Sequence, residues 1–234
     1  MTEKALVYSY TSLKQFENCP KAFYHKYVAK DVTEPTFTER SFGIDAHKNL
    51  ESHIRAPEAA PRETIADTPF CADVLSRLPP EAPPSAEVKL GMTKALAGTP
   101  FFSRDVWLRG VVDCLSVGKR SALVFDWKFG KRRPDTFQLD VFALLVFHNY
   151  PAVERVMAGL VWEKVRAMDR KEYGREDAPA LAAAVITKTN QIEEATAAHN
   201  WPCIPSGLCR YCLVDQSRCV YAHARGESEA GDQA

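Results

Sequence analysis

Gly110-Val-Val-Asp-Cys-Leu-Ser-Val-Gly-Lys-Arg-Ser-Ala-Leu-Val-Phe-Asp-Trp-Lys-Phe-Gly130 is the stretch that decides the fold. Two apolar runs, one ending at Val117 and one spanning Ala122 to Phe125, flank Gly118-Lys-Arg-Ser121, a good two-residue hairpin loop. A hairpin centred on Lys119 and Arg120 sets Asp113 directly opposite Asp126. Opposed residues in antiparallel strands have Cβ atoms about 4.5–5.5 Å apart, close enough for two carboxylates to share one divalent ion. Lys128 follows Asp126 by two residues and leaves the same face of the strand. Two carboxylates, a hard cation and an ammonium are the groups that phosphodiester hydrolysis requires. The competing reading is a surface hairpin with an ordinary Asp126–Lys128 ion pair. Ala122-Leu-Val-Phe125 argues against it, because an uninterrupted apolar run suits a strand covered on both faces. A carboxylate at the end of such a strand is costly unless something compensates it.

The 234 residues are 46% hydrophobic and 26% charged, the balance of an ordinary globular protein with room for one substantial core. No apolar run reaches the roughly 18 residues of a membrane span. The opening Met1-Thr-Glu-Lys4 lacks the apolar region of a signal peptide, so a cytoplasmic protein is expected. In that reducing compartment the seven cysteines are expected as thiols or metal ligands rather than disulfides. A formal net charge of zero disfavours indiscriminate coating of nucleic acid but leaves room for local basic grooves. Lys131, Arg132 and Arg133, just after Lys128, form one candidate. Lys14, Lys21, Lys26 and Lys30, interleaved with Phe16, Phe23, Tyr24 and Tyr27, form another, with a solvated helix face as its alternative.

Periodicity predicts helices at about 9–30, broken at Cys19-Pro20, and at about 40–55, 70–78, 135–148 and 177–199. Strands are expected at about 86–91, 106–117, 121–129 and 155–164, with a further short one around 170–174. The result is an α/β core, a mixed sheet of four or five strands with flanking helices. His47 and Glu51 share a face of the second helix. Gln138 follows Asp135 by three residues and fits a capping box as well as a site role. Glu87, before the hairpin, could orient the site or lie on the surface. Residues 225–234 read as a disordered tail.

Cys209-x2-Cys212-x6-Cys219 places three soft ligands within a short polar stretch. A fourth is needed: Cys19, at its proline-stopped turn, would clip the chain ends together, while Cys203 or His223 would complete a local zinc site. Sequence alone leaves zinc and iron–sulfur both open.

These pieces together resemble the PD-(D/E)XK nuclease superfamily. Within it the chain is similar to the RecB-like branch, which includes the AddB nuclease domain and the small CRISPR-adaptation exonucleases. Ser9-x2-Ser12-Leu13-x2-Phe16-x2-Cys19-Pro20-x2-Phe23-x3-Tyr27 looks like the branch's N-terminal signature. Gly43-x3-His47 resembles its histidine motif, Gly110-x2-Asp113 and Asp126-x-Lys128-x-Gly130 its catalytic motifs, and Gln138-x3-Phe142 its glutamine motif. Phe142 stands where the family usually has tyrosine, and the last cysteine spacing is longer than the branch leads one to expect. The resemblance implies a restriction-endonuclease-like domain over 1–224, its terminal segments joined by a cysteine-ligated cluster.

It further implies a DNA exonuclease dependent on Mg2+ or Mn2+, used in recombination, repair, phage replication or CRISPR adaptation. His47, Asp113, Asp126 and the carbonyl of Trp127 or Phe129 would hold the metal, Lys128 the attacking water and phosphate, and Gln138 the motif strand or DNA. Cys19, Cys209, Cys212 and Cys219 would hold a 4Fe-4S cluster, with Zn2+ as the alternative. DNA would lie along Lys131, Arg132 and Arg133, with Tyr24 stacking on an unpaired base. Two rival readings are a non-catalytic DNA-binding or assembly module that keeps the fold, and a zinc-stapled enzyme acting on RNA.

Overall fold

The computed structural model describes residues 6–32, 41–56, 65–133 and 135–222. The chain divides into two compact units. The larger takes in Val7–Tyr10 and Phe37–Ile186, and the smaller takes in Thr11–Thr36 and Thr187–Ala234 with the N-terminus. No helix among the described residues is long and apolar enough to cross a membrane.

The larger unit is built on a six-stranded mixed sheet. Its strands are β1 (Pro84–Thr93), β2 (Gly98–Thr99), β3 (Val106–Val117), β4 (Ser121–Lys128), β5 (Arg155–Trp162) and β6 (Ala167–Gly174), in the order β2-β1-β3-β4-β5-β6. All neighbours are antiparallel except β4 and β5. A parallel pair needs a crossover, and the helix Phe137–Asn149 between β4 and β5 supplies it. That helix is mostly apolar and is buried from Leu139 through Phe147 except at Asp140, which meets Lys171 and Tyr173. It seats against Gly110, where an added Cβ would lie 3.0 Å from Leu145 and 3.2 Å from Phe142.

The β3–β4 hairpin has the register expected from its loop: Cys114 pairs with Phe125 and Val117 with Ala122, and Gly118 N–H donates to Ser121 O at 2.8 Å. On β4, Phe125 and Trp127 enter a cluster with Ala46, Leu50, Cys71 and Val74 from the helices Ser41–Arg55 and Pro69–Ser76. Alternation sends Asp126 and Lys128 to the other face. Burying each large apolar neighbour on β4 contributes about 1.5–3 kcal/mol, which lets the strand carry a buried carboxylate.

Six strands replace the expected four or five. The two-residue β2 is too short to leave a periodic signal. β6, with Asp169, Arg170, Lys171 and Glu172 at its centre, is an edge strand whose polar residues meet solvent, so its apolar content understates its length.

In the smaller unit the helix Tyr10–Asn18 ends where expected, with Cys19 in extended backbone and Pro20 opening a new turn, Pro20–Phe23, that runs into a π-turn at Tyr24–Val28. Phe23, 1% exposed, stacks on Trp201 at 6.0 Å, and Phe16 meets both edge-on. Lys21 N–H donates to Pro202 O at 3.1 Å, and Arg218 pairs with Asp31 at 2.7 Å. These contacts tie the N-terminal segment to the cysteine-rich segment. His223 and the 225–234 tail lie outside the described residues.

Candidate active site

Asp113 sits where two β-ladders are interrupted. The β3–β4 pairing ends at Cys114–Phe125, and the β1–β3 pairing steps from Ala86–Cys114 to Val88–Val112, passing over Glu87 and Asp113. Glu87 is held at φ 53°, the left-handed region that a residue with a Cβ adopts at a cost. Asp113 Oδ2 accepts the Trp127 backbone N–H at 2.8 Å, so the carboxylate takes the place of a ladder acceptor. The same oxygen lies 3.2 Å from His47 Nε2.

His47 is oriented from behind. Its Nδ1 lies 2.7 Å from Gly43 O, and a carbonyl can only accept, so Nδ1 carries the proton and Nε2 faces the acids. Its ring packs edge-on against Phe129 at 4.9 Å. Burial opposes protonation, but the hydrogen bond and charge of Asp113, helped by Gly43 O, outweigh it and raise the imidazole to about 9.

Asp126 is 5% exposed. Its Oδ1 accepts the Gln138 side-chain N–H at 2.6 Å, and its Oδ2 is ion-paired with the Lys128 ammonium. Lys128 compensates the buried carboxylate by charge and by hydrogen bonding. Burial and then Asp113 push Asp126 up to about 6, against the pull of Lys128 and His47. Gln138 therefore reaches across to Asp126, and the local cap falls to Asp135, whose Oδ1 accepts the Phe137 N–H at 3.2 Å.

Among the described residues no three His, Cys, Asp or Glu side chains close into a ready-made cage for a metal ion. The donors do fit a hard divalent cation: two carboxylates, that of Asp126 buried, and an imidazole nitrogen with its tautomer fixed by a carbonyl. Lys128 and His47 sit on the carboxylates at points where a cation would compete with them.

Three further groups border the acids. The Tyr10 hydroxyl is hydrogen-bonded to Asp135; burial, then Asp135 and Asp126, drive its pKa well up. Glu87 is raised by burial and by Asp113 and Glu51, against His47 and Arg55. Glu51 shares a helix face with His47 in sequence, but Tyr10 carries no such signal. Of the basic triplet, Lys131 and Arg133 are exposed, while the Arg132 guanidinium is bound to Asp169, with Nε at 3.1 Å from Oδ2. Asp169 also accepts Trp162 Nε1 at 2.7 Å.

In the smaller unit, burial raises the Cys212 thiol, and Cys19, Cys219 and Cys209 add to the rise, so these four thiols are electrostatic neighbours. Ser206 N–H reaches Cys209 Sγ at 3.3 Å. Tyr24 packs against Trp201 at 5.3 Å within the same unit.

The sequence model of the PD-(D/E)XK nuclease superfamily matches residues 7–219. The chain belongs to the PD-(D/E)XK nuclease superfamily. Membership implies a metal-dependent phosphodiester hydrolase on a restriction-endonuclease-like fold. Among solved structures, a protein from Eubacterium rectale with a provisional exonuclease name is similar at 9% identity, with 82% of each chain covered and a TM-score of 0.47. The protein SSO0001 is similar at 16% identity, with 87% of this chain and 91% of its own covered and a TM-score of 0.33. No curated protein matches this PD-(D/E)XK chain significantly.

Proposed function

We propose that this protein is a divalent-metal-dependent DNA exonuclease of the RecB-like branch, acting in the cytoplasm, with a four-cysteine cluster in its smaller unit. The observation that carries the reading is the convergence of Asp113, Asp126, Lys128, His47 and Gln138 at one interruption of the sheet. Asp113, Asp126, the Nε2 of His47 and the carbonyl of Trp127 or Phe129 would hold Mg2+ or Mn2+. When bound, that ion supplies Lewis acidity towards the phosphate and acidifies a water. Gln138 fixes the rotamer of Asp126 by holding Oδ1, and Gly43 fixes the imidazole. Lys128 orients the attacking water and offsets charge developing on the phosphate. The water oxygen forms the new P–O bond, the old bond to the leaving oxygen breaks, and the leaving oxygen takes up a proton.

Cys19, Cys209, Cys212 and Cys219 are the ligand set proposed for a 4Fe-4S cluster, with Zn2+ as the alternative. The mutual influence of their thiols supports that grouping over one completed by Cys203. An anaerobic preparation tests both parts. A visible spectrum with iron and zinc counts identifies the cluster. Digestion of 5′- and 3′-labelled single and double strands with Mg2+ or Mn2+ then reads the products. Mononucleotides or short ends support an exonuclease; internal fragments alone contradict it.

A further inference from the structure

The loop after β2 builds an exposed aromatic surface that the hydrolytic centre does not use. Phe102 is 76% exposed, and Phe101 meets it edge-on with ring centroids 4.9 Å apart. Each ring carries a cation: Lys89 Nζ lies 5.4 Å from the centre of Phe102, and Arg109 Cζ lies 4.6 Å from that of Phe101. Neither cation has a carboxylate partner among the described residues. The nearby Asp105 carboxylate instead takes the hydroxyls of Ser103 and Thr99.

The surface is held in place by backbone. At Gly91 an added Cβ would lie 2.7 Å from Thr99 O and 3.2 Å from Pro100 O, so only glycine lets the β2 segment cross β1 this closely. Ser103 N–H donates to Pro100 O at 2.9 Å and closes the turn. Lys89 pairs with Val111 and Gly91 with Arg109, which makes the two cations diagonal neighbours on one face. They also share their strands with the site. Lys89 is two residues from Glu87, and Arg109 is four residues before Asp113, on the order of 13 Å along β3.

We propose that Phe101 and Phe102, with Lys89 and Arg109, form a stacking platform for an unpaired nucleobase and its flanking phosphates, engaging single-stranded DNA. Exposed apolar side chains that cluster, unlike single ones, mark interaction sites, and Phe101 and Phe102 lie ring against ring. A protein partner would favour an apolar patch, whereas here each ring is paired with a cation that has no carboxylate partner among the described residues. That combination suits a base, which stacks on the ring, joined to phosphates, which meet the cations. The proposal deepens the nuclease reading by naming the substrate form, and its test is separable from that reading.

Binding of a labelled oligo(dT) and a blunt duplex is measured by anisotropy in EDTA, so that nothing is cleaved. Phe102→Ala is expected to weaken oligo(dT) binding about five- to a hundredfold and leave duplex affinity unchanged. Phe102→Trp should restore it. Arg109→Gln should flatten the salt dependence for oligo(dT) by about 0.7 in slope. Because Phe102 is exposed, its variants should melt like wild type. Unchanged oligo(dT) affinity in Phe102→Ala, an equal loss on both DNAs, or no binding by wild type would each overturn the platform. The same preparations are then assayed with Mn2+. The oligo(dT) contrast without any cleavage would support the platform and refute the nuclease reading. Cleavage without the contrast would do the reverse.

Discussion

Asp126→Asn should stabilise the metal-free protein while removing its response to metal. Asp126 is raised from 3.8 to about 6 by burial and by Asp113, so at neutral pH the folded state holds a carboxylate where it would favour a proton. Each unit corresponds to about 1.4 kcal/mol, which puts the cost of ionised Asp126 at up to about 3 kcal/mol. Asparagine keeps the shape and can still accept the Gln138 N–H, although its amide group meets Lys128 less well. A gain of about 1–3 kcal/mol is therefore expected, raising Tm by roughly 3–10 °C for a chain of this size. The sign with pH follows from the direction of the shift. A folded pKa above the unfolded one contributes stability that is full below 3.8 and lost as pH rises through about 6. The variant and wild type should thus melt alike near the lower value and diverge towards the upper. Adding Mn2+ should close the gap, since a ligand at about a hundred times its Kd stabilises wild type by about 2.7 kcal/mol. Melting curves in EDTA and in Mn2+, taken across that pH range, provide the test. A variant that melts below wild type at neutral pH, or a gap that ignores pH, would refute the reasoning.

The other predictions concern the groups around this pair. Gln138→Leu leaves Asp126 Oδ1 without its donor, so the acidic limb of the pH–rate profile should move to higher pH; an unmoved limb would mean the amide does not act through Asp126. Cys19→Ser should lose the same metal content as Cys212→Ser. Cys71→Ser, buried in the sheet unit, should retain that content while melting lower by about 1–3 kcal/mol. Full iron or zinc in Cys19→Ser would return the site to a local set with Cys203. Arg133→Ala should flatten the salt dependence of duplex binding by nearly one unit of slope, whereas Arg132→Ala, whose guanidinium holds Asp169, should leave it unchanged. Equal slopes for both variants would show that Arg132 leaves Asp169 for the phosphate.

The β3–β4 hairpin was legible because turn chemistry sets register: once Lys119 and Arg120 occupy the loop, Asp113 and Asp126 must approach each other. The crossover helix was legible from its apolar composition, and the Cys19-Pro20 break from proline's missing N–H. What escaped has physical causes. β2 is two residues long and has no period to read, and β6, expected only at about 170–174, begins at Ala167 because its polar edge residues hide its length. Gln138 satisfies a capping pattern locally and a carboxylate at a distance, and only the fold decides between them. Arg132 looked like its neighbours until β6 brought Asp169 to it. The left-handed backbone at Glu87 and the approach of Tyr10 to Asp135 arise from tertiary placement that no spacing encodes.

Single-turnover cleavage of end-labelled DNA with Mn2+ tests the central claim most directly, comparing wild type with Lys128→Ala and Asp113→Asn in preparations freed of contaminating nucleases. Wild type is expected to cleave and each variant to lose at least about a hundredfold, with thermal melts showing both still folded. Equal cleavage by wild type and the two variants would contradict the claim, because the chemistry would then lie outside Asp113, Asp126 and Lys128.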